Sequence, residues 1–220
     1  MTRLIFVRHG EARGNIERVF HGFTNSALTE NGRRQAERLA QRLADEPIDL
    51  IYSSDLTRAF ETAQAVAERK GMEVIIDERF REINGGKWEN VPWDDLPVLF
   101  PEAFGHWLDE PHRLQIPEGE SMAAFQERLI AAVDSVVKRH SGKNICIATH
   151  GTAIRVLLCH FYGRTLEELN TVQWCDNASI TVVEHDEKGF SVVRDGDNAH
   201  LADISTLDKQ DWWRDKEETE

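Results

Sequence analysis

No apolar run in this chain approaches the length that crosses a bilayer, so no segment reads as a membrane span. The opening MTRLIFVRHGE lacks the long apolar core and small-residue cleavage site of a secretory signal. Cysteine is scarce: Cys146, Cys159 and Cys175 are not linked by any CxxC spacing, which points to free thiols in a reducing compartment. No grouping of His, Cys and carboxylates has metal-ligand spacing, so no metal and no cofactor is expected. HGFTNSAL lacks the lysine followed by serine or threonine that a P-loop needs. Basic charge is also short, with 26 Lys and Arg against 39 Asp and Glu, a formal charge of -13. Such a field disfavours unspecific attraction to nucleic acid or anionic lipid. It repels anionic small molecules at long range too, so any anion site must be a local concentration of positive groups. These absences point to a cytoplasmic protein with neither nucleic acid nor membrane as partner.

What is present suits one domain over residues 1–220, since a chain of this size that is 40% hydrophobic can bury a full core. Leu4-Ile5-Phe6-Val7 is the continuous apolar run of a strand buried on both faces, and it stops at Arg8-His9-Gly10. Thr29 is placed to cap a helix running through Glu46, with Ala36, Leu39, Ala40 and Leu43 on one face. Ile48 to Tyr52 reads as a second strand, and Ser54 or Asp55 as the cap of the helix that carries Arg58. Val74–Ile76 is a third strand. A stretch rich in proline, glycine and aromatics follows, giving an irregular, substrate-facing excursion at about 84–117 with short helices. Helical spacing returns from Met122 to about Arg139, then a strand at Asn144–Thr149 ends at His150-Gly151. A helix to Phe161 and two late antiparallel strands, from Ala178 and from Phe190, complete an α/β pattern. In the tail, Ile204, Leu207, Trp212 and Trp213 are the apolar anchors; whether the tryptophans cover their own domain or a second copy in a homodimer stays open.

Two strands thus end in histidines, His9 and His150, at the sheet edge where open α/β folds bind ligands. Arg58 lies near the same edge; alone it reads as an ion-pair partner of Asp55 or Glu61. Together Arg8, Arg58, His9 and His150 make a cationic pocket in an acidic protein, and several donors around one point suit phosphoryl oxygens. A neutral imidazole is a good nucleophile near pH 7, and a carboxylic acid with a raised pKa protonates a leaving alkoxide. Glu82, Glu11 and Glu89 compete for that role. Trp88, Trp93, Phe100, Phe104 and Trp107 read equally as a wall over the substrate or as a cap packed on its own core. His21, His106, His112 and His160 read as surface or packing residues.

FVRHGEARGN (Phe6 to Asn15) resembles the RHG signature of the histidine phosphatase superfamily, the phosphoglycerate mutase-like family. The resemblance continues in order through LTENGRRQA, SSDLTRAFETA, RFREINGGKWE, PEGES and IATHGTAIR, and more weakly in DNASITVVE. It implies a three-layer α/β/α sandwich with a mostly parallel central sheet and phosphohistidine chemistry on a small phosphorylated metabolite, in the phosphatase branch. His9 matches the family's nucleophile, Arg8 and Arg58 the arginines that bind the phosphoryl group, His150 the second histidine, and Glu82 the proton donor. Asn15 matches a phosphate contact, and Gly22, Trp88 and Ala178 are carried over as substrate-lining candidates. The competing readings are a cofactor-dependent mutase and a non-catalytic phosphate-binding module. The mutases carry a tyrosine, a lysine and an arginine pair after the glutamate block. Between Glu82 and Gly119 this chain has only Lys87 and Arg113 as permanent cations and no tyrosine, which favours hydrolysis.

Overall fold

The computed structural model describes residues 1–207. Its strands are β1 (Thr2–Arg8), β2 (Leu50–Ser53), β3 (Val74–Ile76), β4 (Asn144–Thr149), β5 (Ile180–Asp186) and β6 (Gly189–Asp197). They form one sheet in the order β3-β2-β4-β1-β5-β6. β1 pairs in parallel with β4, β4 with β2 and β2 with β3, while β5 alone runs against its neighbours. Alternation along β1 sends Leu4 and Phe6 to one face and Ile5 and Val7 to the other. All four are buried, so both faces of the sheet must be covered.

The helices are α1 (Arg13–Glu17), α2 (Glu30–Arg42), α3 (Thr57–Lys70), α4 (Leu96–Leu99), α5 (Pro101–Asp109), α6 (Met122–Arg139) and α7 (Gly151–Phe161). Leu39, Leu43 and Val66 of the α2–α3 side pack on Ile5, Val7 and Ile51. On the opposite face Phe125, Leu129 and Leu157 of α6 and α7 pack with Leu4, Phe6 and Ile147. The result is the α/β/α sandwich with a mostly parallel sheet. The excursion extends the core on the α6 side through Trp88, Leu96, Leu114 and Ile116, each fully buried.

Three local expectations change. Helix α2 is capped by Thr29 as expected but ends at Arg42, and the Glu46 carboxylate turns back to pair with Arg3 and Arg42. Neither Ser54 nor Asp55 caps α3; the Thr57 N–H donates to Asn25 Oδ1 from a distant loop (2.8 Å), and Asp55 is taken by a forked pair with Arg81. β5 starts at Ile180 rather than Ala178 because Ala178 sits in the left-handed region at φ 56°. In the tail, Ile204 is buried, whereas Trp212 and Trp213 lie outside the described residues.

Candidate active site

The parallel register pairs Arg8 with Thr149, so the next residues of the two strands, His9 and His150, leave the sheet side by side. His9 N–H donates to Thr149 O (2.9 Å), and the two imidazoles stand 5.2 Å apart between ring centroids. The loop before β5 grips the same turn: Asn177 Nδ2 donates to His9 O (2.9 Å) and Ala178 N–H to Arg8 O (3.0 Å). Gly10 has to be glycine, because a Cβ there would lie 2.6 Å from the Gly32 carbonyl oxygen at the start of α2.

Both imidazoles are set by their partners. Nδ1 of His9 lies 2.8 Å from Gly10 O, an acceptor, so the ring hydrogen sits on Nδ1 and Nε2 is the basic nitrogen. His150 Nε2 is 3.0 Å from Ser54 Oγ, which already accepts from Leu56 N–H. His150 Nδ1 is buried with no partner among the described residues. Burial, with Arg58 and Arg8, holds His9 well below the ordinary imidazole range; burial, with Arg58, does the same for His150.

Arg58 stands in the first turn of α3, and neither Asp55 nor Glu61 holds it: Asp55 binds Arg81, and Glu61 accepts from Leu28 N–H. Its guanidinium donates instead to Thr24 O and Gly22 O (both 2.8 Å) and to His21 O (3.3 Å). Burial lowers its pKa to about 10, so it remains a cation at neutral pH. The loop it grips is fixed from the other side by Glu89, whose carboxylate accepts from the N–H groups of Gly22, Phe23, Thr24 and Gly85. Arg8 donates to Cys175 O (2.6 Å), and its buried Nε has no partner among the described residues.

Glu82 faces these groups. Oε1 accepts from Ile83 N–H (2.8 Å) and Oε2 from Thr152 N–H (3.1 Å) in the first turn of α7. Burial raises its pKa, against the lowering effect of those N–H groups and of Arg58. The sequence rivals are occupied elsewhere. Glu11 accepts from Thr29, Asn31 and Thr206, Glu89 organises the loop, and the cavity lining includes neither.

Arg8, His9, Asn15, Arg58 and Glu82 together line one end of a cavity of about 620 Å³. His150 is fully buried against His9 and does not reach the lining. Three other candidates are not on the wall. Trp88 is wholly buried, edge-on to Phe20, because the excursion uses its large ring as core. Gly22 offers its carbonyl to Arg58, and a Cβ there would meet Ile83 O at 2.2 Å. Ala178 acts through its backbone behind His9.

Trp93, Phe104 and Trp107 line the cavity while also packing on the core, and Phe100 packs on the core without lining the cavity. His21, read as a surface or packing residue, is on the lining, as are Arg18, Thr152, Arg155 and Trp174. Arg155 lies one helical turn beyond Gly151, and that spacing was the signal available in the sequence. No comparable pattern marks His21 or Trp174. Among the described residues no cluster of His, Cys, Asp or Glu is arranged to hold a metal ion, and no helix is long and apolar enough to cross a membrane.

The chain is similar to known proteins over most of its length. The chain is 34% identical over 204 residues to phosphoserine phosphatase 1 of Hydrogenobacter thermophilus, covering 93% of this chain and 96% of that protein. It is 35% identical over 214 residues to a Yersinia pestis protein named as a probable phosphoglycerate mutase, GpmB, covering 95% and 99%. The solved structure of Bacillus stearothermophilus YhfR superposes with a TM-score of 0.88 at 37% identity, covering 91% of this chain and all of that one. Residues 4–198 match the sequence profile of the histidine phosphatase superfamily (branch 1), and the chain belongs to that family.

Proposed function

We propose that the protein is a phosphoric monoester hydrolase that cleaves a small phosphomonoester through a covalent phosphohistidine at His9. The observation that carries this reading is the Nδ1–H of His9 held on Gly10 O, which leaves Nε2 as a neutral nucleophile at the cavity end where Arg8 and Arg58 converge. Nε2 attacks phosphorus while the bond from phosphorus to the alcohol oxygen breaks. The two arginines bind the phosphoryl oxygens, and His150, packed beside His9, is the second histidine of the pocket. Glu82, protonated more readily than an ordinary glutamate, gives its proton to the leaving alkoxide. The resulting carboxylate takes a proton from water as the water oxygen attacks phosphorus. The phosphorus–nitrogen bond then breaks, releasing inorganic phosphate and neutral His9. Asn15 belongs with the phosphate contacts.

Hydrolysis is favoured over mutase chemistry because the two permanent cations of the excursion are used outside the cavity: Lys87 pairs with Glu118 (2.8 Å) and Arg113 with Glu110 (3.0 Å). The three buried free cysteines fit a reducing, cytoplasmic setting. The test is inorganic phosphate release from a panel of phosphorylated metabolites by wild type and by His9→Ala. Release by wild type alone is the expected result, and equal release by both contradicts the reading.

A further inference from the structure

Beyond the phosphoryl end, the wall of the cavity is formed by Trp93, Phe104, Trp107, Leu108 and Trp174. Trp93, Phe104 and Trp107 pack against the core on one side but are, like Trp174, only half-buried, and Leu108 is 52% exposed. Trp93 and Trp107 stand 5.7 Å apart between ring centroids, and Trp107 and Trp174 6.5 Å, so they join the excursion to the segment after α7 in one aromatic strip. Apolar surface left open to a cavity is what a ligand with its own apolar surface covers with gain.

The cations on the same wall are already engaged. Arg18 forms an exposed ion pair with Asp94 at 2.8 Å. Arg155 donates to Val172 O (2.8 Å), Leu169 O (3.2 Å) and Asn170 Oδ1 (3.2 Å), and its guanidinium lies 4.6 Å from the Trp174 ring centroid. A flat apolar ring would meet three tryptophans.

We propose that the substrate is a phosphomonoester whose alcohol carries an aromatic or similarly flat apolar group. This inference rests on the hydrolase reading and narrows it. The phosphate is held by Arg8 and Arg58, and the ring is covered by Trp93, Trp107 and Trp174.

The experiment compares kcat/KM for ethyl phosphate, 2-phenylethyl phosphate and O-phosphoserine, all primary alkyl esters, so that differences in leaving group do not imitate ring recognition. The phenylethyl ester should exceed ethyl phosphate by about tenfold and also lead phosphoserine. An advantage under about threefold, or phosphoserine leading, overturns the proposal. Trp107→Ala and Leu108→Glu should each lower the ratio of phenylethyl to ethyl ester. Leu108 is exposed enough for its variant to fold, and an unchanged ratio there removes the wall from recognition. A parallel titration with non-hydrolysable 3-phenylpropylphosphonate and propylphosphonate keeps this test separate from the hydrolase reading. Tighter binding of the phenyl compound by about tenfold supports the aromatic wall even if no ester is turned over, and equal dissociation constants overturn it.

Discussion

His9 Nδ1 lies 2.8 Å from the carbonyl oxygen of its neighbour Gly10, and this one contact fixes which imidazole nitrogen can react. A carbonyl only accepts, so Nε2 keeps its lone pair. Burial and the nearby Arg58 and Arg8 also disfavour protonation of the ring. The acid limb of kcat/KM should therefore lie below the ordinary imidazole pKa of roughly 6.5. An acid limb at or above that value would place a protonated histidine in the resting enzyme.

Glu82→Gln should remove the basic limb of the same profile. A group that must be protonated to act loses activity as pH rises through its pKa, and the Glu82 pKa is raised by burial. The loss should be far larger on an alkyl phosphate than on nitrophenyl phosphate, whose leaving group needs little protonation. Equal losses on both esters would move the proton donor to another carboxylate.

Arg58→Ala should lower kcat/KM by about 10²–10³, the usual effect of deleting a charge-assisted donor to a developing charge. It also frees the carbonyls of His21, Gly22 and Thr24, so stability should fall by about 3 kcal/mol in chemical denaturation. Glu89→Gln loosens the same loop without touching the cavity and should destabilise with a smaller loss of activity. Equal activity in Arg58→Ala and wild type would reduce Arg58 to a structural residue.

Much of this site was legible in the sequence because its residues follow strands directly. His9 and His150 end two apolar runs, and parallel pairing of those runs places them together. Arg58 and Glu82 lie in the helix after β2 and shortly after β3, but position left Arg58 an ion-pair candidate and Glu82 one of three glutamates, and the family resemblance singled them out. The aromatic side chains were not legible, because composition does not say which face of an irregular excursion meets a cavity. Trp88 became core while Trp93 and Trp107 became wall. The cap of α3 was missed because Asn25 reaches it from a distant loop.

Stability should fall on acidification from neutrality. His9 and His150 are held neutral in the fold by burial, so the unfolded chain binds their protons first as pH drops through about 6.5. Glu82 has the opposite sign, since its raised pKa lets the folded protein bind that proton earlier. His150→Gln removes one buried imidazole, and its Tm should therefore decline less steeply between neutral and mildly acidic pH than that of wild type. Parallel declines would show that His150 titrates alike in folded and unfolded chains.

The central claim is a phosphoryl group on His9. The direct measurement mixes enzyme with a ³²P-labelled phosphomonoester, quenches within the first turnovers under alkaline denaturing conditions, and maps the label by peptide sequencing. The account predicts acid-labile, alkali-stable label on the peptide containing His9, absent from His9→Ala. Rapid phosphate release with no labelled histidine at any quench time, or equal labelling of His9→Ala, would contradict it.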